Sequence, residues 1–314
     1  MSSKRARASL VALAVAAGLS APTSASAGKT DESPREVRQY WTDERMEAAI
    51  PGDELLVDVM PLSPLDDVLG LGLGGGSEAR GNGPAKKVAN PQRKPARTNG
   101  KVFFTLNGLN FVCSGTAVRA KTKSLVTSAG HCVYGNGQYA SRWMFVPAKD
   151  GNREPFGRWT AKKLKTTPQW EAREDIRYDV GMATVAKKRN GKKLQQVVGA
   201  RGIAFNREGN QDFRAFGYPA EDEFDGQTLY VCKSRQNGSD RENGRPRPNR
   251  IKCDMTGGSS GGGWIVGRGK VNSVVSYGYE CVVILFPCEN PEMGNLFGPY
   301  FGNEIKQLYR SQKR

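Results

Sequence analysis

The chain has 314 residues, enough for two average domains or one large β-rich unit, and its formal charge is +16. One histidine among six cysteines, with no C-x-x-C pair, argues against a zinc site. No apolar run reaches the roughly 20 residues needed to cross a bilayer, which argues against a membrane-spanning chain.

Residues 1–27 join a basic start (Lys4, Arg5, Arg7) to a short apolar run, Leu10 to Leu19, and then to Ala25-Ser26-Ala27. That order is the pattern of a secretory signal peptide, so the mature protein is expected to be secreted, extracellular and soluble. In an oxidising compartment Cys113, Cys132, Cys232, Cys253, Cys281 and Cys288 read as three disulfides, with 15 connectivities open in principle.

Residues 28–68 carry modest helical patterning around Glu36 to Ala49 and no cysteine. Between Asp31 and Glu78 twelve acidic residues face three arginines, a net of −9, whereas Thr98 to Arg314 has 34 basic and 19 acidic residues, a net of +15. Leu69 to Arg97 is rich in Gly and Pro and reads as a linker. Its glycine run lacks the Lys-Ser/Thr and the preceding strand of a phosphate-cradling loop. Residues 28–97 are therefore expected to be a propeptide with its linker, held by opposite charge over the basic domain as a folding aid or lid; an inert spacer is the alternative. The basic stretch Asn90 to Asn99 is the natural processing site.

From Lys101 onward short apolar stretches alternate with turn residues. Val102 to Leu106 and Leu109 to Cys113 flank Asn107-Gly108, a dipeptide suited to a two-residue hairpin. Further strands are expected at Leu125 to Ser128, Trp143 to Pro147, Val180 to Val185, Phe213 to Gly217, Thr228 to Cys232, Trp264 to Val266 and Val271 to Tyr277. At the end, Phe301, Ile305, Leu308 and Tyr309 share one helical face. The pattern predicts an all-β sandwich or barrel with a C-terminal helix.

The sole histidine, His131, lies in T-S-A-G-H-C. Starting 44 residues later comes D-I-R-Y-D-V-G-M-A-T-V, and near the end D-M-T-G-G-S-S-G-G-G-W. Acyl transfer by serine needs a base for the hydroxyl proton and a third group to orient that base. Glycines around the serine let backbone N–H groups turn toward a developing oxyanion. Gly257 to Gly261 also fits the G-x-S-x-G elbow of α/β-hydrolases, but that fold runs Ser, acid, His, and here the histidine precedes both serines.

From about residue 101 to 310 the chain resembles the trypsin/chymotrypsin clan of serine endopeptidases, and within it secreted bacterial enzymes near the glutamyl endopeptidases. The matching pieces, in clan order, are C-S-G-T (Cys113–Thr116), T-S-A-G-H-C (Thr127–Cys132), Y-D-V-G-M-A (Tyr178–Ala183), G-G-S-S-G-G (Gly257–Gly262) and V-S-Y-G (Val275–Gly278). The resemblance implies two six-stranded antiparallel β-barrels over residues 98–314 and a peptidase acting on protein or peptide substrates without a cofactor or metal. It makes His131 the general base, Asp179 its orienting carboxylate and Ser260 the nucleophile, with the N–H groups of Gly258 and Ser260 as oxyanion hole. Asp175 and Ser259 are the rivals of Asp179 and Ser260. The substrate pocket falls on Asp254, Ser276, Tyr277 and Gly278. The resemblance also pairs Cys113 with Cys132; Cys281 and Cys288 can close a short loop, which leaves Cys232 for Cys253.

The chain departs from the clan at three points. Ser259 stands where clipped zymogens keep an aspartate for the new N-terminus, which disfavours that switch. Gly263 replaces a proline and is expected to loosen the backbone there. Thr256 removes the pocket disulfide, so Asp254, at the offset that binds Arg or Lys, also reads as an ordinary loop residue; the absence of a second histidine weighs against glutamate preference. A different class of function, a catalytically inactive basic binding module, is suggested by Lys187-Lys188-Arg189, Lys192-Lys193 and Arg241 to Lys252. Without interleaved aromatic residues these clusters do not point to specific nucleic-acid binding.

Overall fold

A computed structural model describes residues 28–56, 84–279 and 294–312. Its architecture is mostly β, with short helices α1 (Pro34–Tyr40), α2 (Asp43–Glu47), α3 (Pro168–Arg173) and α4 (Leu194–Val198) and a final α5 (Asn303–Gln312).

Six strands form the first barrel: β1 (Asn99–Leu106), β2 (Leu109–Val118), β3 (Leu125–Ser128), β4 (Ser141–Pro147), β5 (Trp159–Thr166) and β6 (Gly181–Val185). Ladders run β4-β1-β2-β3-β6-β5 and return from β5 to β4, which closes the barrel and removes its edges. Asn107 and Gly108 take positive φ in the hairpin between β1 and β2, as the dipeptide predicts. Alternation along β1 sends Val102, Phe104 and Leu106 into the interior with Phe111, Trp143, Phe145 and Leu164, while Phe103 faces outward.

The second sheet orders its strands β11 (Lys270–Val274), β10 (Gly263–Val266), β7 (Asp212–Gly217), β8 (Tyr230–Ser239), β9 (Asn249–Lys252) and β12 (Asn295–Gly298), with Tyr277–Gly278 pairing at the far edge. Gly202–Ile203 adds a short parallel pairing outside β11, and the sheet forms a half-barrel. Val118, Leu125 and Met182 from the first barrel meet Phe216, Ile265 and Val271 from the second, and Phe301, Ile305 and Leu308 seal that interface with α5. The two-barrel expectation with its C-terminal helix is met. Pattern reading missed β5, β9 and β12; Lys162, Lys163 and Lys165 break the apolar run of β5, and β9 lies within the basic stretch read as loop.

Residues 28–56 lie on the outside of the first barrel. Gly28–Lys29 pairs with β5 and Ile50–Pro51 with β2. Val37, Trp41 and Met46 are buried against Phe103, Val112, Met144 and Val146, and the Trp41 indole N–H donates to the Arg142 carbonyl at 2.7 Å. Charge is secondary here. The ion pairs Arg142–Glu32 at 4.0 Å and Arg158–Asp43 at 3.4 Å involve side chains that remain partly in water, where such pairs contribute about 0–1 kcal/mol, against about 1.5–3 kcal/mol for each large apolar side chain buried. Within residues 28–56 apolar burial outweighs these ion pairs, while Asp58, Asp66, Asp67 and Glu78, which the charge-based expectation also counts, lie outside the described residues.

Residues 84–97 also differ from the linker expectation. Lys86–Lys87 pairs with Tyr230–Val231, Val88 N–H donates to Leu229 at 2.9 Å, and the Arg97 guanidinium reaches the Val198 carbonyl at 3.3 Å. Within the basic stretch only Asn90 and Gln92 to Pro95 are exposed.

Lys101 is an unusual member of β1, only 2% exposed, with its ammonium donating to the Gly226 carbonyl at 2.7 Å. Burial, reinforced by Lys149 and opposed by Asp225, pushes its pKa down to about 7. An unfolded lysine keeps its proton to about pH 10.4. Between those values the unfolded chain binds more protons, so this group makes stability rise with pH, by up to ~1.4 kcal/mol per unit. Below pH 7 both states are charged and the full cost of the buried ammonium remains. Relative to wild type, Lys101→Met is therefore expected to be more stable at pH 6 than at pH 9, by about 2–3 kcal/mol across the interval. Thermal melts at both values check this; a difference independent of pH would show an unshifted lysine.

Candidate active site

His131 sits in the turn that follows β3. Val133 and Tyr134 both donate to the Gly130 carbonyl at 2.9 Å, and the neighbouring Cys132 is bridged to Cys113 of β2. That bridge and Cys232–Cys253 match the expected pairs; Cys281 and Cys288 lie outside the described residues. Closing a loop of 19 residues contributes about 3 kcal/mol in the chain-entropy model, and here it fixes the turn that presents the imidazole.

Asp179 ends the short turn Ile176–Tyr178 and is fully buried. Its Oδ1 accepts the His131 backbone N–H at 2.8 Å, and its Oδ2 lies 2.9 Å from His131 Nδ1. Both bonds are satisfied when Nδ1 carries the proton, which leaves Nε2 as the lone-pair nitrogen. Asp175 serves the fold instead, capping the turn through the Arg177 N–H and pairing with Arg173 and Arg177. Burial alone would raise its pKa, but hydrogen bonds from Arg177 and Arg173 outweigh that and hold the carboxyl below its ordinary value.

Ser260 lies in the glycine loop between β9 and β10. Its carbonyl accepts the Ser114 N–H at 2.7 Å, and Ser114 Oγ donates to the Gly258 carbonyl at 3.0 Å, so β2 grips the loop at two points. Gly258 and Gly261 have φ of +85° and +84°, and a Cβ on Gly261 would collide with Ser128 Oγ. Only glycine suits both demands. The Ser259 hydroxyl turns into its own loop and donates to the Thr256 carbonyl at 2.7 Å, whereas that of Ser260 donates to the Ser276 carbonyl at 3.3 Å.

Ser276 ties the groups together. Its hydroxyl donates to Asp179 Oδ2 at 2.5 Å while its carbonyl receives Ser260. The side chain of Ser276, a residue expected to line the substrate pocket, completes the coordination of Asp179, a contact with no separate mark in the sequence. His131 Nε2 is buried and has no hydrogen-bond partner, so its lone pair is not engaged by another protein group.

The remaining pocket residues are less open. Asp254 Oδ1 accepts the Ala85 N–H at 2.6 Å, and burial raises the carboxyl above its ordinary value despite that bond. Tyr277 stacks on Phe297 at 5.1 Å, and both its hydroxyl and that of Tyr279 donate to Asp240, while Gly278 pairs with Leu296. Gly263 is tied rather than loosened: it starts β10 and its N–H donates to Thr116 Oγ1 at 3.2 Å, a bond a proline would lose. Among the described residues, Cys113 and Cys132 beside His131, and Cys232 and Cys253 beside Asp254, are the sulfur groups close enough to share a metal, but their sulfurs are spent in disulfides and are not thiolates. The N–H of Gly258 donates to Asp53 Oδ1 at 3.0 Å, a partner from the N-terminal segment that nothing in the sequence singles out.

No protein-family model and no curated protein matches the chain. Solved structures do. Protease Anisep from Arthrobacter nicotinovorans is 39% identical, covers 71% of this chain and 98% of its own, and has a TM-score of 0.64. The thermostable serine protease AL20 from an extremophilic microorganism is 38% identical, covering 69% of this chain and 97% of its own at a TM-score of 0.62. A Glu endopeptidase shares the fold at 17% identity, over 75% of this chain and 99% of its own, with a TM-score of 0.60. With that identity over nearly the whole length of two solved proteases, and with a closed antiparallel barrel joined to a half-barrel and a final helix, the chain belongs to the trypsin-like serine proteases.

Proposed function

We propose that the protein is a secreted endopeptidase that cleaves proteins or peptides through an acyl-enzyme on Ser260, with His131 as general base and Asp179 as its orienting group. The observation that carries this reading is the buried, unpartnered Nε2 of an imidazole whose other nitrogen is held by Asp179. When substrate enters, the Ser260 hydroxyl leaves the Ser276 carbonyl and gives its proton to Nε2 as Oγ attacks the scissile carbonyl. The N–H groups of Gly258 and Ser260 take the developing oxyanion. His131 then returns the proton to the leaving amine, and water repeats the sequence on the ester. Asp179 stays ionised and stabilises the imidazolium.

Export and processing belong to the same proposal. The signal-like residues 1–27 and two disulfides support a route through an oxidising compartment. The proteases Anisep and AL20 leave more than a quarter of this chain without counterpart, close to the share preceding residue 98, which supports residues 28–97 as a propeptide processed within Asn90 to Asn99, where Asn90 and Gln92 to Pro95 are exposed.

A fluorophosphonate tests the reading. Ser260 Oγ is expected to form the bond to phosphorus while fluoride leaves and the hydroxyl proton passes to His131, giving one adduct per protein that maps to Ser260 by mass. A folded, processed protein that takes up no label would instead assign the inactive binding module.

A further inference from the structure

The N-terminal segment reaches beyond the outside of the barrel to the nucleophile loop. Ile50 lies opposite Phe111 and Pro51 opposite Val112 in a parallel pairing with β2, so the chain advances along that strand toward the Cys113–Cys132 bridge. Gly52 then packs so closely that a Cβ there would fall 2.5 Å from Cys113 Sγ and 3.1 Å from the Val112 carbonyl. The turn Gly52–Leu56 follows and buries Leu56 in the barrel core. Between these two anchors Asp53 sets its carboxylate over the Gly257–Gly258 peptide: Oδ1 accepts the Gly258 N–H at 3.0 Å, and a Cβ on Gly257 would collide with Oδ2.

We propose that residues 50–56 are an inhibitory plug for the site of the same chain, with the Asp53 carboxylate standing where the substrate oxyanion has to form. The proposal rests on the assignment of the Gly258 N–H to that oxyanion. A carboxylate oxygen at 3.0 Å reproduces the charge and distance that the donor is built to meet, and one N–H cannot serve two oxyanions at once. The pairing with Phe111 and Val112 covers the edge of β2 beside the bridge. Burial of Val37, Trp41 and Met46 holds the segment on the barrel, so the plug acts at the high effective concentration of a tethered group. Because that anchorage is apolar, raising salt does not release it.

The test uses the uncleaved chain, a fluorophosphonate, and intact mass to score only molecules that still carry residues 28–56. Losing one oxyanion donor costs about 10²–10³ in rate, and a partly competing carboxylate costs less. Intact Asp53→Ala is therefore expected to react about 10- to 100-fold faster than intact wild type. Asp53→Asn, which keeps the shape and an acceptor but loses the charge, is expected to rise only a few-fold. Gly52→Ala, which displaces the turn without touching the carboxylate, should also accelerate labelling. Once residues 28–56 have been removed, all four proteins should react alike. Equal rates for intact wild type and intact Asp53→Ala, with the processed enzyme reactive, overturn the plug alone. No reaction in any processed form overturns the assignment of Ser260 as nucleophile, and the plug with it.

Discussion

Ser260→Ala is expected to lower kcat for peptide hydrolysis by about 10⁶-fold, leaving the 10³–10⁴-fold advantage over water that binding and oxyanion donors provide alone. The size of the loss is chemical and not structural. The Ser260 hydroxyl makes a single 3.3 Å bond to the Ser276 carbonyl, whereas the loop is held by the Ser114 bonds to the Ser260 and Gly258 carbonyls and by Gly261 N–H to Val275 at 2.7 Å. All of these survive the substitution. The variant should melt within a few degrees of wild type while its turnover collapses. Ser259→Ala is the matched control: it loses a buried bond to Thr256, worth about 1 kcal/mol, and should keep turnover within a few-fold. Progress curves with a peptide ester and thermal melts on both variants settle the pair. A Ser260→Ala enzyme retaining more than a tenth of wild-type kcat would place the nucleophile elsewhere.

The parts of the molecule that were legible in the sequence are those where one local rule suffices. Asn107-Gly108 marks a hairpin because two positive φ angles are needed there, and Leu125–Ser128 reads as a strand because both of its faces are buried. His131 is legible because it is the only imidazole, and its spacing to Asp179 and Ser260 leaves one chain order. What stayed hidden depends on contacts between distant segments. The alternation of β5 is blurred by three lysines, of which Lys162 is exposed and Lys163 and Lys165 are half-buried on a barrel that only closure reveals. The net charge of the N-terminal segment pointed to an electrostatic lid, whereas the contacts of residues 28–56 are led by the burial of Val37, Trp41 and Met46, apolar residues scattered in an acidic run. Asp53 is one of twelve acidic residues between 31 and 78; it is distinguished by Gly52, which fits against a disulfide 61 residues away. Asp254 has the right offset for a pocket-floor carboxylate, but its Oδ1 accepts the Ala85 N–H, a contact from a segment that composition read as linker.

Asp179→Asn is the second large effect expected, a fall in kcat of about 10⁴-fold with little change in fold. The three hydrogen bonds to the carboxylate decide how the amide must sit. Oδ1 accepts the His131 backbone N–H at 2.8 Å, so an NH₂ group there would oppose a donor that cannot turn away. The amide nitrogen is forced to the position of Oδ2, facing His131 Nδ1 at 2.9 Å and Ser276 Oγ at 2.5 Å. The Ser276 hydroxyl can rotate and accept. The imidazole can satisfy a donor only by moving its own proton from Nδ1 to Nε2. Nε2 then meets Ser260 as a donor, and the serine proton has no acceptor. Ser276→Ala separates position from tautomer: it removes one bond to Oδ2 but leaves Nδ1–H paired with a carboxylate, so kcat should fall about 10-fold or less. Steady-state kinetics on the processed variants, with ¹⁵N shifts of the His131 ring to read which nitrogen is protonated, test both statements. An Asp179→Asn ring still protonated on Nδ1, or a Ser276→Ala loss as large as that of Asp179→Asn, would show that Asp179 acts through something other than the tautomer.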